Sequence, residues 1–185
     1  MPFWENPFLS LRRVLSPQAP SVRHIRHQTS PTLEREVSLD VYLPPDYRKI
    51  KSKKYPLLLL NDGQDLPRMD FASILEKGWR GNKFPYFIAV GIHADDNRMK
   101  EYGTARQPDY KGRGNRADAY KSFIINELIP YLMDKFRING QVEDTAFAGF
   151  SLGGLSAFDI AWSLPEIFGN IGVFSGALWW RWSPV

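Results

Sequence analysis

TAFAGFSLGGLSAFDIAW, residues 145–162, contains the motif around which the rest of the chain is organised. Small and apolar residues lead up to Ser151, and apolar residues at helical spacing begin directly after it. At the centre lies the pentapeptide Gly149-Phe150-Ser151-Leu152-Gly153, which has the form G-x-S-x-G. We predict a nucleophile elbow, in which a serine occupies a strained turn between a strand and a helix. A glycine-rich structural turn is the simpler alternative, because a short motif alone is weak evidence.

The residue types in this motif suit the chemistry of acyl transfer. The glycines two before and two after the serine are expected where a Cβ would collide with a tightly turned chain. In such a turn the serine hydroxyl stands clear of the backbone. The first amide groups of the following helix point toward any oxyanion that forms on a bound substrate.

The composition is that of a soluble globular protein with a single domain. Of its 185 residues, 43% are hydrophobic and 24% are charged. The 24 basic and 20 acidic residues are mixed along the chain, so the net charge of +4 does not indicate a nucleic-acid partner. The chain has no cysteine, which excludes a disulfide, a thiol nucleophile and a Cys-ligated metal. Its apolar runs are too short to span a membrane, so we predict a cytoplasmic protein with no membrane partner. We also predict that the protein has no cofactor and no metal.

The N-terminal part of the chain divides into an arm and a hairpin. Residues 1–20 hold four prolines and no regular period, so we predict an irregular arm that docks through its aromatic side chains. We assign residues 21–185 to the domain itself. Strand patterns at residues 22–26 and 35–43 predict an antiparallel hairpin, because the second run alternates apolar and polar residues.

Strand and helix patterns then alternate along the chain, which predicts an α/β three-layer sandwich with a mainly parallel sheet. The predicted elements are a strand at 55–60, a helix from Phe71 that ends near Gly78, a strand at 84–92, a helix at 117–136 bent near Pro130, and the strands and helix at 145–150, 152–162 and 171–175. In such sheets the ligand site lies beyond the carboxyl ends of the strands. We therefore expect the loops at residues 62–65 and 93–98 to meet the elbow.

A series of segments, taken in order, resembles the putative esterase (esterase D-like) family of α/β-hydrolases. These segments are VYLPPDY (41–47), NDGQ (61–64), VGI (90–92) followed by NR (97–98), ELIPYL (127–132), AGFSLGGL (148–155), PEIFG (165–169) and SGALWW (175–180). The resemblance implies a serine carboxylic-ester hydrolase that acts on a small-molecule ester through an acyl-enzyme at Ser151. It also implies an oxyanion hole formed by the backbone N–H of Leu152 and that of Gly63 or Gln64.

The residues that activate such a serine are not found downstream of it. In α/β-hydrolases the chain order is nucleophile, acid and then histidine, whereas all three histidines of this chain precede Ser151. Asp159 and Glu166 follow the serine, but they lie within or just beyond the predicted helix, not at the carboxyl end of a strand. We therefore expect no triad acid or base in this chain, and impaired turnover by the chain alone.

Two explanations for this departure stay open. The chain is either the N-terminal two-thirds of a hydrolase domain, truncated at its C-terminus, or a naturally short relative that binds without turnover. The second explanation makes the protein a non-catalytic binding or interaction module on the same scaffold. Trp179, Trp180 and Trp182 near the C-terminus predict an aromatic surface that needs a cover, either a homo-oligomer or a complementing chain.

His93 follows a predicted central strand, so we expect it at the active edge of the sheet. His24 and His27 belong to the predicted hairpin at the other side. His93 is a candidate substrate contact or substitute base, and a loop histidine bound to backbone or water is the alternative. Asp95 and Asp96 beside it are weak evidence for a metal site, because two acids and one histidine occur in many polar loops.

Overall fold

The computed structural model describes residues 19–178, so residues 1–18 of the predicted arm and the tryptophans at 179, 180 and 182 lie outside the described residues. Six strands form one sheet. The strands are β1 (Ser21–Ser30), β2 (Arg35–Leu43), β3 (Leu57–Asn61), β4 (Ile88–Ile92), β5 (Thr145–Phe150) and β6 (Asn170–Phe174). The helices are α1 (Phe71–Arg80), α2 (Arg98–Glu101), α3 (Ala117–Phe123), a π-helical turn (Ile124–Leu128), α4 (Ile129–Lys135) and α5 (Leu152–Trp162), with 3₁₀ turns at Gly63–Asp65 and Val142–Asp144.

The sheet is mixed, with the strand order β1-β2-β4-β3-β5-β6. Strand β1 pairs antiparallel with β2, and β2 pairs antiparallel with β4. The other three pairings are parallel. The predicted α/β fold, with a mainly parallel sheet and an antiparallel N-terminal hairpin, is therefore confirmed.

Helices cover both faces of the sheet and divide the core into two clusters. Leu57 and Leu59 of β3 point to the larger cluster, which α3, α4 and α5 cover. Leu58 and Leu60 point to the smaller cluster under α1. This burial on both faces explains why the strand is continuously apolar, as parallel strands require.

Two predicted boundaries near α1 are wrong. The helix does not end near Gly78 but continues to Arg80, and Gly81 follows as its C-cap. Gly78 is needed instead for packing, since a Cβ there would overlap the ring of Phe84. The next strand begins at Ile88 and not at residue 84, because the aromatic side chains before it pack edge-on against Trp79.

The break predicted near Pro130 takes the form of a π-helical turn. Helical residues run from Ala117 to Lys135, and the widened turn Ile124–Leu128 ends two residues before the proline. Proline has no N–H to donate, and its ring collides with the carbonyl four residues earlier in an α-helix. A wider turn at this point relieves both problems.

Strand β5 and helix α5 have the bounds that the sequence predicts. Almost every residue of the first half of α5 is buried, because this helix lies directly on the sheet. The parallel strands β3, β4 and β5 bring their following loops to one edge of the sheet, where Ser151 lies. None of the helices within residues 19–178 has the length and apolarity to cross a membrane.

Candidate active site

Ser151 joins β5 to α5 in a conformation that side chains rarely adopt. Its φ is 51° and its ψ is −119°, and the residue is exposed. Its N–H donates to the carbonyl of Phe174 at 2.9 Å, and its carbonyl accepts from the N–H groups of Leu155 and Ala177, both at 3.1 Å. Such strain persists only where the surrounding structure enforces it, and here β6 and α5 both do so.

The two glycines of the pentapeptide are explained by close packing. A Cβ on Gly149 would lie 2.5 Å from the carbonyl carbon of Gly153. A Cβ on Gly153 would lie 2.7 Å from a carboxylate oxygen of Asp62 in the loop after β3. The turn at Ser151 is therefore packed tightly on itself and against the neighbouring loop.

The three residues predicted to form an oxyanion hole lie at the same edge of the sheet. Leu152 begins α5, so its N–H has no acceptor within the helix, and the helix dipole adds to its positive potential. Gly63 and Gln64 follow β3 in a 3₁₀ turn. A Cβ on Gly63 would lie 2.7 Å from the backbone nitrogen of Ile92, so this turn is pressed onto β4. The side-chain oxygen of Gln64 accepts from the N–H of Ala94 at 2.9 Å, which ties the turn to the loop after β4.

A buried hydrogen bond links the two segments that carry these donors. The side-chain amide of Asn61, at the end of β3, donates to the carbonyl of Gly153 at 2.8 Å. The hydroxyl of Tyr120 in turn donates to the side-chain oxygen of Asn61 at 2.7 Å. The first turn of α5 is thus joined directly to the end of β3.

An ion pair that the sequence analysis did not predict lies beside this link. Asp62 has a left-handed conformation with φ 60°, and Arg98 of α2 donates to both of its carboxylate oxygens, at 2.6 and 2.8 Å. The hydrogen bonds to Asp62 raise the pKa of Arg98, so the guanidinium stays charged. The N–H of Asp62 donates to the hydroxyl of Tyr102 at 3.2 Å. Both residues of the pair lie in segments quoted for the family resemblance, but nothing in the sequence pairs them.

His93 occupies the predicted edge, but its side chain does not approach Ser151. Its Nε2 lies 2.9 Å from a carboxylate oxygen of Asp40 on β2, and Nδ1 of His24 lies 2.6 Å from the other oxygen. Arg26 contacts the same carboxylate at 2.7 Å. Strand β3 separates β4 from β5, so the two residues are held about 10 Å apart at ordinary strand spacing. A substrate contact by His93 stays a prediction.

Burial alone would raise the pKa of Asp40, but the hydrogen bonds from His24, His93 and Arg26 outweigh it and leave this pKa below its ordinary value. The carboxylate is therefore ionised at neutral pH. It belongs to a structural cluster at the hairpin, and two strands, β4 and β3, lie between β2 and the strand that leads to the elbow.

Two other acidic residues named above, Asp159 and Asp95, have partners of their own. Asp159 accepts from the N–H of Ala105 at 2.8 Å, on the outer side of α5. Asp95 lies 3.3 Å from Arg35. In the part of the chain that the structure describes, no group of three or more histidine, aspartate or glutamate side chains could hold a metal ion.

Exposed apolar side chains lie at the end of β6 near the elbow, and others lie toward the far end of α5. Strand β6 forms the edge of the described sheet, and no charged residue occurs between residues 167 and 178. Phe158 and Trp162 stack on the outer side of α5, with Trp162 71% exposed. Phe174 and Leu178 are 49% and 64% exposed at the end of β6 and just beyond it.

Comparison with known proteins connects this geometry to a family. A family model described as "Putative esterase" matches residues 30–184. The uncharacterised proteins YbbA and YjcH of Bacillus subtilis (strain 168) are 29% identical over 148 residues and 30% identical over 143 residues. These matches cover 76% and 77% of this chain, but 57% and 56% of the relatives. This chain therefore spans about half the length of these curated relatives.

A relative with a described activity and two solved structures are also similar to this chain, and all three are named as esterases. An endo-1,4-beta-xylanase/feruloyl esterase of Xylanibacter ruminicola is 29% identical over 141 residues, which cover 74% of this chain and 19% of that protein. A ferulic acid esterase structure has a TM-score of 0.67 at 24% identity, and the match covers 83% of this chain and 56% of the esterase chain. An enterochelin esterase from Shigella flexneri has a TM-score of 0.72 at 24% identity, and the match covers 90% of this chain and 39% of the esterase chain. At this identity the two structures establish the fold.

Proposed function

Because this chain belongs to the putative esterase family, we propose that Ser151 is the nucleophile of a serine carboxylic-ester hydrolase. The observation that carries the proposal is the backbone of Ser151, which is strained, exposed and placed between a parallel strand and the N-terminus of a buried helix. This is the arrangement in which α/β-hydrolases present their nucleophile.

The proposed reaction is a transfer of the acyl group in two halves. The hydroxyl oxygen of Ser151 bonds to the ester carbonyl carbon, and the alcohol departs with a proton. Water then attacks the acyl-serine, which releases the carboxylic acid and restores the hydroxyl. The N–H of Leu152 and that of Gly63 or Gln64 stabilise the oxyanion in both halves. Loss of one such donor lowers the rate by about 10²–10³.

We propose that the acid and the base of the triad come from outside these 185 residues. Further strands added at the β6 edge would place their carboxyl ends beside Ser151. They would also cover the exposed side chain of Phe174 on β6. These strands would belong either to a longer form of this polypeptide or to a complementing chain. A second copy of the chain, in a homo-oligomer, is the alternative way to cover the exposed apolar side chains.

Without a base, the chain is expected to retain a part of the catalysis. In serine hydrolases that lack a triad member, the oxyanion hole and substrate binding still accelerate the reaction about 10³–10⁴-fold over water. We propose small-molecule carboxylic esters as substrates. Because the similar proteins include a feruloyl esterase and a ferulic acid esterase, aromatic acyl esters are the first compounds to try.

Labelling with a fluorophosphonate tests the assignment. The chain is incubated with the probe, with and without imidazole as a substitute base, and the adduct is located by peptide mass spectrometry. We expect one adduct, on Ser151, which forms faster with imidazole and is absent from Ser151→Ala. Ser163→Ala, an exposed serine at the other end of α5, is the matched control and is expected to label normally. A folded chain with no adduct on Ser151 in either condition would refute the proposal.

A non-catalytic interaction module is the second candidate, and the apolar surface beside β6 favours it. This candidate predicts binding of a partner that is unchanged in Ser151→Ala. It also predicts that Trp162→Ser weakens binding, because Trp162 is the most exposed aromatic side chain among the described residues. Sedimentation analysis of the wild type and both variants separates the two functions.

A further inference from the structure

The ion pair of Asp62 and Arg98 lies between the two segments that carry the proposed oxyanion donors. Asp62 directly precedes the 3₁₀ turn Gly63–Asp65, and its left-handed backbone aims the N–H groups of that turn. A left-handed conformation is tolerated by aspartate but not favoured by it. The direction of the turn therefore depends on the contacts that Asp62 makes.

Three of those contacts hold Asp62 from different sides. Arg98 binds both carboxylate oxygens, at 2.6 and 2.8 Å. The hydroxyl of Tyr102 accepts from the N–H of Asp62 at 3.2 Å. The carboxylate also lies against the first turn of α5, since a Cβ on Gly153 would come within 2.7 Å of its Oδ2. One side chain thus contacts both the arginine and the segment that begins with Leu152.

This placement bears on catalysis because the donors come from separate segments. An oxyanion hole works when both N–H groups lie about 2.7–3.1 Å from the same oxygen. An error of about 1 Å in such a site can reduce the rate about 10²-fold. The N–H of Leu152 is fixed by α5, whereas the N–H groups of Gly63 and Gln64 belong to a short turn after β3.

We propose that Asp62 and Arg98 are positioning residues, whose bidentate ion pair holds the Gly63–Gln64 turn in register with the first turn of α5. This inference rests on the proposed function for its catalytic meaning. Neither side chain is assigned a step in the reaction. Their effect is on the geometry of the backbone donors.

Helix α2 supplies a matched control for this pair. Glu101 is buried, and Arg35 of β2 donates to its two carboxylate oxygens at 2.8 and 2.6 Å. The bidentate geometry and the helix are the same, but this pair faces the hairpin, and no contact with either donor segment is found among the described residues. Arg35 also lies 3.3 Å from Asp95, so Glu101→Gln is the more closely matched of the two controls. Substitutions in the two pairs therefore separate loss of stability from loss of positioning.

The experiment compares Asp62→Asn and Arg98→Lys with the controls Glu101→Gln and Arg35→Lys. Fluorophosphonate labelling of Ser151 is measured with imidazole present, as a maximal rate and a half-saturating concentration. We expect both site variants to lower the maximal rate about 10–100-fold, with little change in half-saturation. Both control variants should lower the unfolding temperature by a similar amount and keep the wild-type labelling rate. Equal labelling rates in the site and control variants would overturn the proposal.

A second measurement is independent of labelling. In Arg98→Lys, which keeps the positive charge, we expect the backbone ¹H–¹⁵N signals of Gln64 and Leu152 to shift, and in Arg35→Lys to stay in place. If the wild-type chain is not labelled, the proposed function fails for this chain and these signals alone decide the positioning role. Unchanged signals of Gln64 and Leu152 in a folded Arg98→Lys protein would then overturn it.

Discussion

Replacing Ser151 by glycine and, separately, by alanine measures the strain stored at the elbow. Both substitutions remove the hydroxyl group, but only glycine adopts a φ of 51° without a steric penalty. Alanine keeps the Cβ and with it the strain. The difference in stability between the two variants therefore reports the backbone conformation of this residue and not the loss of a side-chain contact.

The expected magnitude follows from two opposing effects. Strain at a residue held in a sparsely populated backbone region is about 1–3 kcal/mol. Glycine loses more conformational freedom on folding, which offsets about 0.5–1 kcal/mol of the relief. At mid-range values of the two effects, we expect Ser151→Gly to be more stable than Ser151→Ala by about 1 kcal/mol. For a domain of this size that difference corresponds to about 2–4 °C in the unfolding temperature.

Thermal unfolding followed by circular dichroism is a suitable assay, and Ser163 provides the control. This residue follows α5 as its C-cap, with φ −80° and ψ −6°, in the right-handed helical region. At Ser163 the order should reverse, with alanine more stable than glycine by about 0.5–1 kcal/mol. An alanine variant at position 151 that is as stable as the glycine variant, or more stable, would refute the interpretation of a strained elbow.

Three further predictions concern stability and its dependence on pH. Arg35→Ala leaves the buried carboxylate of Glu101 without its partner, and urea denaturation should show a loss of about 3–5 kcal/mol; a loss within error of zero would contradict this. Gly149→Ala drives a Cβ into the Gly153 backbone, and the same measurement should show a loss of about 1–3 kcal/mol or more, whereas an unchanged midpoint would speak against the packing described. The pKa of Asp40 is lower in the folded than in the unfolded chain, so its ionised form stabilises the fold above the unfolded value of about 3.9. That contribution is lost as the pH falls through the folded-state pKa, so the stability difference between wild type and Asp40→Asn should shrink below about pH 4, and a constant difference would argue against it.

The elements nearest the elbow could be predicted from sequence because several local signals agree there. The apolar run of β5 and the helical spacing of α5 meet at Ser151, and the glycine spacing fixes the turn between them. Elsewhere the deciding contact was distant in sequence. Gly78 resembled a helix end but is required by the ring of Phe84, and no local pattern distinguishes the two cases.

The location of the candidate site could be predicted from the sequence, but the partners of its side chains could not. The carboxyl ends of parallel strands place the loops after β3 and β4 beside the elbow, so the location followed from topology. The partners of Asp62 and His93 depend on which way each side chain turns at the strand end. His93 turns toward Asp40, because that buried carboxylate attracts two imidazole rings and an arginine. One signal in the sequence was available: Asp40 lies inside a strand pattern among apolar neighbours. A carboxylate in that position is expected to need a charged or hydrogen-bonding partner.

Acylation of Ser151 is tested most directly with an activated ester such as p-nitrophenyl butyrate, followed by mass spectrometry of the intact chain. Water or buffer takes the proton that the Ser151 hydroxyl loses on attack, and the p-nitrophenolate leaving group needs no proton. Hydrolysis of the acyl-serine is slower without a triad, because its serine leaving group must be protonated as water attacks. An acyl-enzyme should therefore accumulate on Ser151, with up to one equivalent of p-nitrophenolate released, and imidazole should shorten its lifetime. Two results together would contradict the assignment of the nucleophile. The folded wild type and the folded Ser151→Ala variant would release p-nitrophenolate at the same rate, and the wild type would carry no acyl group on Ser151.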